Sequence, residues 1–251
     1  MRLAVSSLLL ATVLLAGCAS SADKDFKRNV AEANFKLGIG YMQSGHLEVA
    51  AEKLLKALQY DDDYPEAHNA LGVLYEEMRE YSPAADHYQR AIALKPDYTL
   101  AKLNYARLLC TGEPVRTAEG EAEFRRITAD PANAGATAAD AYAGLASCAL
   151  KRDDLEQAEA ALRQSLDSDP SNASALYDLA QLNQRRGNTL QGRAFLQRFH
   201  TRSRATAQSL WLGVLIESSP QGDAQLRQQY ANTLATQYPN SDEARRLKQP
   251  Q

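Results

Sequence analysis

AHNALGVLY, at residues 67–75, has a looser copy, ANFKLGIGY, at residues 33–41, an offset of 34 residues. The correspondence extends beyond these stretches and includes Leu-Gly, Tyr and small residues at fixed places. The matched positions are Leu37, Gly38, Tyr41, Ala50, Leu54 and Ala57 in the first copy, and Leu71, Gly72, Tyr75, Ala84, Tyr88 and Ala91 in the second, which Pro96 follows. A fixed period of this length indicates repeated supersecondary units that stack on one another.

The series resembles the tetratricopeptide repeat, a helix-turn-helix unit of about 34 residues. Looser copies open at Tyr105-Ala106, Leu145-Ala146 and Leu179-Ala180, and the stretch 211–239 is either a degenerate sixth copy or a cap. We therefore predict an all-α fold, a right-handed superhelical solenoid of about six repeats in a domain at 29–240. The predicted repeats are 31–64, 65–98, 99–138, 139–172, 173–206 and 207–240, followed by a tail at 241–251.

Glycine inside the predicted helices has a physical explanation. Gly38 and Gly72 each cost about 1 kcal/mol relative to alanine in a helix, so close packing of a second helix must offset that cost. Ala106, Ala146 and Ala180 hold the same place in the later copies. The motif therefore predicts that paired helices cross closely at these positions.

Composition narrows the class of protein. The chain has 251 residues, of which 45% are hydrophobic and 24% charged, a globular balance that argues against wholesale disorder. Its net charge is −3 and its Lys and Arg residues are scattered, so no basic block predicts a nucleic-acid partner.

The amino terminus has the pattern of an export signal. Met1-Arg2 precedes an uncharged apolar run from Leu3 to Leu15, which is too short to span a bilayer comfortably. The run ends at Leu15-Ala16-Gly17-Cys18, which resembles the lipobox of bacterial lipoproteins; the alternative is an ordinary secretory signal.

The lipobox resemblance implies a signal peptide at 1–17, acylation of Cys18 with chains such as palmitate, and a polar tether over 18–28. Ala19 and Ser20 stand where an inner-membrane retention aspartate is found in similar lipoproteins, so the resemblance implies the periplasmic face of the outer membrane.

Two cysteines besides Cys18 remain in the mature chain, Cys110 and Cys148. They fall near the ends of first helices of consecutive repeats, whose stacking can bring Cα atoms to within about 4.4 to 6.8 Å. We favour a disulfide over two buried thiols, because disulfides persist outside the cytoplasm.

About six extra residues between the third and fourth copies, in 110–139, form either a contact site or a tolerated loop.

Catalytic motifs do not stand out in the sequence. His46, His68, His87 and His200 are interpreted as structural, and Asp61-Asp62-Asp63 as a solvated turn that lacks the Gly and distal Glu of a calcium loop. We predict a protein that is not an enzyme, with no metal, no cofactor and no small-molecule substrate.

A protein-binding groove is the function that stacked repeats offer, because the first helices of successive pairs line one face. The predicted lining is Phe35, Ile39 and Met42 from the first repeat, Asn69, Val73 and Glu76 from the second, and Leu100, Leu103 and Arg107 from the third. Its amino-terminal end is apolar and suits an extended or helical segment. The alternative is that the tether or a further helix covers Phe35 and Ile39.

The combination of lipobox, early repeats, cysteine pair and length resembles the type IV pilus biogenesis and stability lipoproteins of the PilF/PilW family. That resemblance implies a pilotin, which binds secretin subunits, promotes their outer-membrane localisation and multimerisation, and supports twitching motility. The alternative is a lipid-anchored scaffold of another envelope assembly, serving β-barrel insertion or cell-wall enzymes.

Overall fold

The structure, a computed structural model, describes residues 3–248, with side chains from residue 23 onward. The side chain of Cys18 and those of the predicted signal peptide therefore lie outside the described residues. All regular elements in the described part are helical, which confirms the predicted all-α class.

The chain divides into two compact units, Met1–Leu108 and Leu109–Gln251. The first six helices are α1 (Leu3–Gln43), α2 (Leu47–Tyr60), α3 (Pro65–Glu77), α4 (Tyr81–Leu94), α5 (Thr99–Thr111) and α6 (Thr117–Ala129). The others are α7 (Ala136–Lys151), α8 (Leu155–Ser168), α9 (Ala173–Arg185), α10 (Thr189–Arg202), α11 (Ala207–Glu217), α12 (Ala224–Gln237) and α13 (Asp242–Arg246).

Unit 1 consists of helix pairs whose apolar stripes face one another. Helix α1 packs against α2, and α3 packs against α4. In α2 the fully buried residues are Ala50, Leu54 and Ala57, a spacing that places them on one face of the helix. Pro65 occupies the first turn of α3, where its missing N–H would have no helical partner. Local sequence thus sets both where these helices begin and which face they bury.

Gly72 and Gly213 show why glycine stands inside these helices. A Cβ at Gly72 would lie 2.5 Å from the ring of Tyr88, and one at Gly213 would lie 2.6 Å from the ring of Tyr230. Both distances are shorter than packed atoms allow, so any side chain here would displace the aromatic ring. The structure confirms the predicted close crossing at Gly72 and shows the same arrangement in the last helix pair.

Unit 2 repeats the pairing, with α7 against α8, α9 against α10 and α11 against α12. Helix α6 packs against α7, and α13 packs against α11 and α12. Polar caps begin several of these helices: the Asn172 side chain accepts from Ala175 N, and Thr206 and Ser209 form a reciprocal capping box. Each cap satisfies a backbone N–H that has no partner within the helix.

A buried ion pair joins two helices of unit 2. The side chain of Glu217, at the end of α11, is fully buried, and Arg193 of α10 donates to it from Nε at 2.7 Å. The backbone N–H of Asp223 also donates to Glu217, at 2.8 Å. The carboxylate therefore lies inside the protein with its charge compensated.

A disulfide in unit 2 joins Cys110, near the end of α5, to Cys148 in α7, with Cα atoms 5.0 Å apart. Both cysteines are fully buried. A bridge closing a loop of this length stabilises the fold by about 3 to 4 kcal/mol in the chain-entropy account.

The predicted repeat starts at 65, 99, 173 and 207 coincide with the first residues of α3, α5, α9 and α11. The fourth differs: α7 begins at Ala136, three residues before the predicted 139. The extra residues between the third and fourth copies form a short 3₁₀ helix, Pro131–Asn133, and lengthen α7 to 16 residues.

Residues 23–28, the described part of the predicted tether with side chains, continue helix α1. An ion pair four residues apart, Lys27 Nζ to Asp23 Oδ2 at 2.8 Å, favours the helical form. This part of the segment therefore rises about 1.5 Å per residue and not the 3.3 Å of an extended chain.

Candidate protein-binding groove

The nine residues predicted to line a groove all belong to unit 1 and lie on its first helices of each pair. They are Phe35, Ile39 and Met42 on α1, Asn69, Val73 and Glu76 on α3, and Leu100, Leu103 and Arg107 on α5. On each helix they are spaced three or four residues apart, which places them on one face. We refer to this surface as the unit 1 groove.

The amino-terminal part of the unit 1 groove is apolar and rests on the core. Phe35, Ile39 and Met42 are partly buried and pack against a cluster of buried residues that includes Leu54 and Leu74. The Phe35 ring centroid lies 5.1 Å from that of Tyr64, just before α3. The three side chains thus pack against the core on one side and keep solvent-exposed surface on the other. Among the described residues, no tether or further helix fully covers them.

Polar side chains connect α3 to α5 in the rest of the groove. Asn104 Nδ2 donates to Asn69 Oδ1 at 3.0 Å, and Arg107 donates to both carboxylate oxygens of Glu76 at 2.7 and 3.3 Å. Bidentate pairing of this kind fixes the guanidinium in one orientation. The polar part of the groove is therefore ordered before any partner binds.

Tyr88 ties this network to the second helix of the pair, α4. Its hydroxyl donates to Glu76 Oε2 at 3.0 Å while its ring lies against Gly72. Burial, reinforced by the negative charge of Glu76, raises the pKa of Tyr88 above its ordinary value, so the hydroxyl stays a donor at neutral pH. Sequence reasoning assigned Tyr88 only to packing; no sequence signal identified its bond to Glu76.

The carboxyl-terminal side of the groove offers exposed apolar surface. Leu100, at the start of α5, is 52% exposed, and Leu103 is partly buried. A partner segment can therefore bury apolar side chains at both ends of the groove, on either side of the polar network.

A polar cleft of about 350 Å³ adjoins the apolar end. Its lining is Arg28, Glu32, Asp61, Asp63, Tyr64, Pro65 and Glu66. Asp63 pairs with Arg90 at 2.9 Å and Glu66 with Lys95 at 3.3 Å, both at the surface. Tyr64 connects the cleft to Phe35, so apolar and charged surfaces are continuous along the groove.

His68 and His87 form a pair that the sequence did not predict, although both had been interpreted as structural. Their Nδ1 atoms are 3.0 Å apart, and His68 Nε2 lies 3.0 Å from the carbonyl oxygen of Asp62. If His68 donates to that carbonyl, its Nδ1 accepts from His87. Burial lowers the pKa of both imidazoles, and each lies within the helix pair and not in a catalytic arrangement.

The part of the chain with described side chains contains no group of three or more His, Cys, Asp or Glu residues that could hold a metal ion. The turn between α2 and α3 contains Asp61, Asp62 and Asp63, and the Asp63 carboxylate forms an ion pair with Arg90. Among the residues described, no helix has the length and apolar character needed to cross a membrane.

Three family models match this chain. One described as a TPR repeat matches residues 38–78, and two described as tetratricopeptide repeats match residues 65–98 and 143–204. These ranges contain the Leu-Gly motif of the second repeat and both helices of the fifth.

A relative and two solved structures resemble most of the chain. The Type IV pilus assembly protein PilF of Pseudomonas aeruginosa is 27% identical over 247 residues, which cover 96% of each chain. The crystal structure of PilW, described as a widely conserved type IV pilus biogenesis factor, has a TM-score of 0.68 and 26% identity, covering 88% of this chain and 99% of the other. A structure of Pseudomonas aeruginosa PilF has a TM-score of 0.64 at 24% identity, covering 88% of this chain and 98% of the other. The chain therefore contains tetratricopeptide repeats, is homologous to PilF and is similar in fold to the type IV pilus proteins PilF and PilW.

Proposed function

We propose that this protein is a pilotin of type IV pilus biogenesis, which binds secretin subunits through the unit 1 groove and promotes their multimerisation at the outer membrane. The observation that carries the proposal is that its similarity to PilF covers 96% of both chains, so the comparison includes the groove-bearing repeats and the amino-terminal region. The role is that of a scaffold, without catalysis.

The groove supports the proposal through its division into apolar and polar parts. Phe35, Ile39 and Met42 offer apolar surface at one end, and the Glu76–Arg107 pair offers fixed hydrogen-bonding groups further along. Methionine adapts its shape to the side chain that it meets. Such a surface fits a segment with apolar residues on one side, bound as a helix or as an extended strand.

Lipid anchoring would place this groove where secretin subunits arrive. Acylation of Cys18 with more than one chain gives stable anchoring, because each buried methylene contributes about 0.8 kcal/mol and a single chain is marginal. Confinement to the membrane surface raises the effective concentration of the groove for subunits held there. The anchor and groove together would favour multimers without requiring high intrinsic affinity.

The test is the amount of heat-resistant secretin multimer in cells that lack this protein and in cells that carry Phe35→Asp or Ile39→Asp. We expect each change to reduce multimers several-fold, because a carboxylate in the apolar part must be desolvated when the partner binds. Leu190→Asp is the matched control, since Leu190 is 64% exposed in unit 2 and should leave multimers unchanged.

Equal multimer levels in cells with and without the protein would contradict the pilotin assignment and favour the scaffold of another envelope assembly. Reduced multimers on deletion, with normal levels for both groove variants, would retain the pilotin role and reject the groove. A Cys18→Ser variant recovered in the soluble fraction, with fewer multimers, would support the anchor separately.

A further inference from the structure

Helix α9 of unit 2 presents two adjacent side chains, Tyr177 and Asp178, that the unit 1 groove does not involve. Tyr177 lines a pocket of about 330 Å³ together with Ala173, Ser174, Phe199, Thr206 and Gln208. The ring centroids of Tyr177 and Phe199 are 5.6 Å apart, so two aromatic faces form the apolar wall. Ser174, Thr206 and Gln208 supply polar groups, an arrangement typical of a site that takes one apolar side chain.

Asp178 is a partly buried carboxylate that forms no hydrogen bond and no ion pair within the described part of the chain. Burial raises its pKa to about 6. A carboxylate that loses hydration without gaining a partner destabilises the protein that contains it. At neutral pH Asp178 therefore holds an uncompensated negative charge one residue after Tyr177, which lines the aromatic pocket.

The repeat register explains why Asp178 has no partner. In the predicted repeats that begin at 99 and 173, the sixth position is Asn104 in one and Asp178 in the other. Asn104 donates to Asn69 of the preceding repeat, which lies three residues before Gly72. In the repeat that precedes Asp178, the small residue that matches Gly72 is Ala146, and the residue three before it is Ala143. Alanine has no polar side-chain atom, so the bond made in unit 1 cannot form here.

The neighbouring titratable groups do not neutralise Asp178. Tyr177 is uncharged at neutral pH, and burial followed by the charge of Asp178 raises its pKa. His200 of α10, which contacts Phe199, has its pKa lowered by burial, and Asp140 of α7 accepts from Asn172. The negative charge of Glu243 in α13 also contributes to raising the pKa of Tyr177. Arg185, two turns along α9, makes no ion pair with Asp178 within the described residues.

We propose that this part of unit 2 is a second protein-binding site, which takes a segment with a lysine or arginine next to a large apolar side chain. The apolar side chain enters the pocket between Tyr177 and Phe199, and the cation pairs with Asp178. Charge complementarity selects this partner, because a charge-assisted hydrogen bond compensates the carboxylate that unit 2 leaves unpaired. The protein is then an adaptor with one binding surface in each unit.

A fluorescein-labelled Gly-Ser peptide with one arginine followed by one phenylalanine tests the site, with fluorescence anisotropy of the full chain in detergent as the readout. We expect Asp178→Asn to weaken binding about tenfold and Tyr177→Ala to weaken it by a similar factor. We expect wild-type binding to weaken about tenfold between pH 7.5 and 5, because protonation removes the charge of Asp178. The Asp178→Asn variant should lose that pH dependence.

Asp167→Asn, the same change at an exposed acid of α8, is the matched control and should bind as the wild type does. A peptide with glutamate in place of the arginine should not bind. Absence of wild-type binding, equal affinity of Asp178→Asn and wild type, or equal affinity for the arginine and glutamate peptides would each overturn the proposal. Phe35→Asp should leave this binding intact, which separates the second site from the secretin proposal.

Discussion

Glu76 in unit 1 and Asp178 in unit 2 are both acidic residues on the first helix of a repeat, and their surroundings differ. Glu76 accepts from Arg107 and from the Tyr88 hydroxyl, so its charge is part of the structure. Asp178 has no such donor within the described residues, and burial raises its pKa to about 6. The comparison indicates that a paired carboxylate orders the protein, whereas an unpaired one remains available to a partner.

Glu217 extends the comparison to full burial. Its side chain is completely inaccessible and yet charged, with Arg193 and the backbone N–H of Asp223 as donors. Burial alone therefore does not distinguish a structural carboxylate from a binding carboxylate; the presence of donors does. Three measurements test this rule, from the largest expected change in stability to the smallest.

Arg193→Ala should have the largest effect. It leaves the Glu217 charge buried without its cation, which costs about 3 to 5 kcal/mol in comparable pairs. Urea denaturation should show that loss in the free energy of unfolding. Arg126→Ala removes an exposed partner of Glu123 and should change stability by less than about 0.5 kcal/mol. Equal effects of the two changes would show that burial of the pair is not what matters.

Asp178→Asn should stabilise the protein at pH 7.5 by about 1 to 3 kcal/mol, because it removes an unpaired charge. The folded-state pKa of about 6 lies above the ordinary value of 3.8, so the penalty is present above pH 6 and absent below pH 4. The contribution of Asp178 to the free energy of unfolding of the wild type therefore becomes more favourable as pH falls through that window. The Asp178→Asn variant should not show this change. A destabilised Asp178→Asn protein would mean that the carboxylate has a structural partner.

Arg107→Ala should destabilise unit 1 by about 0.5 to 1 kcal/mol, less than Arg193→Ala, because Arg107 is 44% exposed and water screens the pair. Arg107→Lys should recover only part of the loss, since lysine cannot form the bidentate contact. A double-mutant cycle with Glu76→Gln measures the coupling. A coupling energy near zero would mean that pairing with Arg107 does not stabilise the Glu76 carboxylate, and Glu76 would then not differ from Asp178 in this respect.

Much of the architecture follows from the sequence period. The Leu-Gly motif placed Gly72 against the second helix because only a residue without a Cβ fits beneath the Tyr88 ring. The starts of α3 and α9 follow for local reasons, since Pro65 lies in the first turn of one and Asn172 caps the other. Local chemistry and burial pattern agree at these positions, and there the helix starts coincide with the predicted repeat starts.

Contacts between repeats were not predictable in the same way. Glu76 and Arg107 are 31 residues apart, and their pairing depends on the reach and rotamers of two long side chains. The His68–His87 pair and the isolation of Asp178 likewise depend on what an adjacent helix presents. The helical form of residues 23–28 was missed because that segment has no apolar period, although its charges are spaced for a helix.

The smallest expected effect concerns the histidine pair of unit 1. Burial lowers the pKa of His68 and of His87, so the folded state resists protonation relative to the unfolded chain. The stability from these groups is present above pH 6.5, the ordinary value, and is lost as pH falls below it. His87→Gln, which can still donate to His68, should reduce this loss, measured as Tm at pH 7.5 and 5.

The Asp178→Asn protein is the suitable background for the histidine measurement, because Asp178 shifts stability in the opposite direction over part of the same range. An unchanged acid response in His87→Gln on that background would assign the pH sensitivity to other groups.

The Cys110–Cys148 bridge has a consequence for where the chain matures. A reducing cytoplasm keeps such thiols unjoined, and an oxidising envelope joins them. If the protein is exported as proposed, its covalent crosslink is installed only after translocation. Mobility on a non-reducing gel would then record, molecule by molecule, whether a chain has left the compartment of its synthesis.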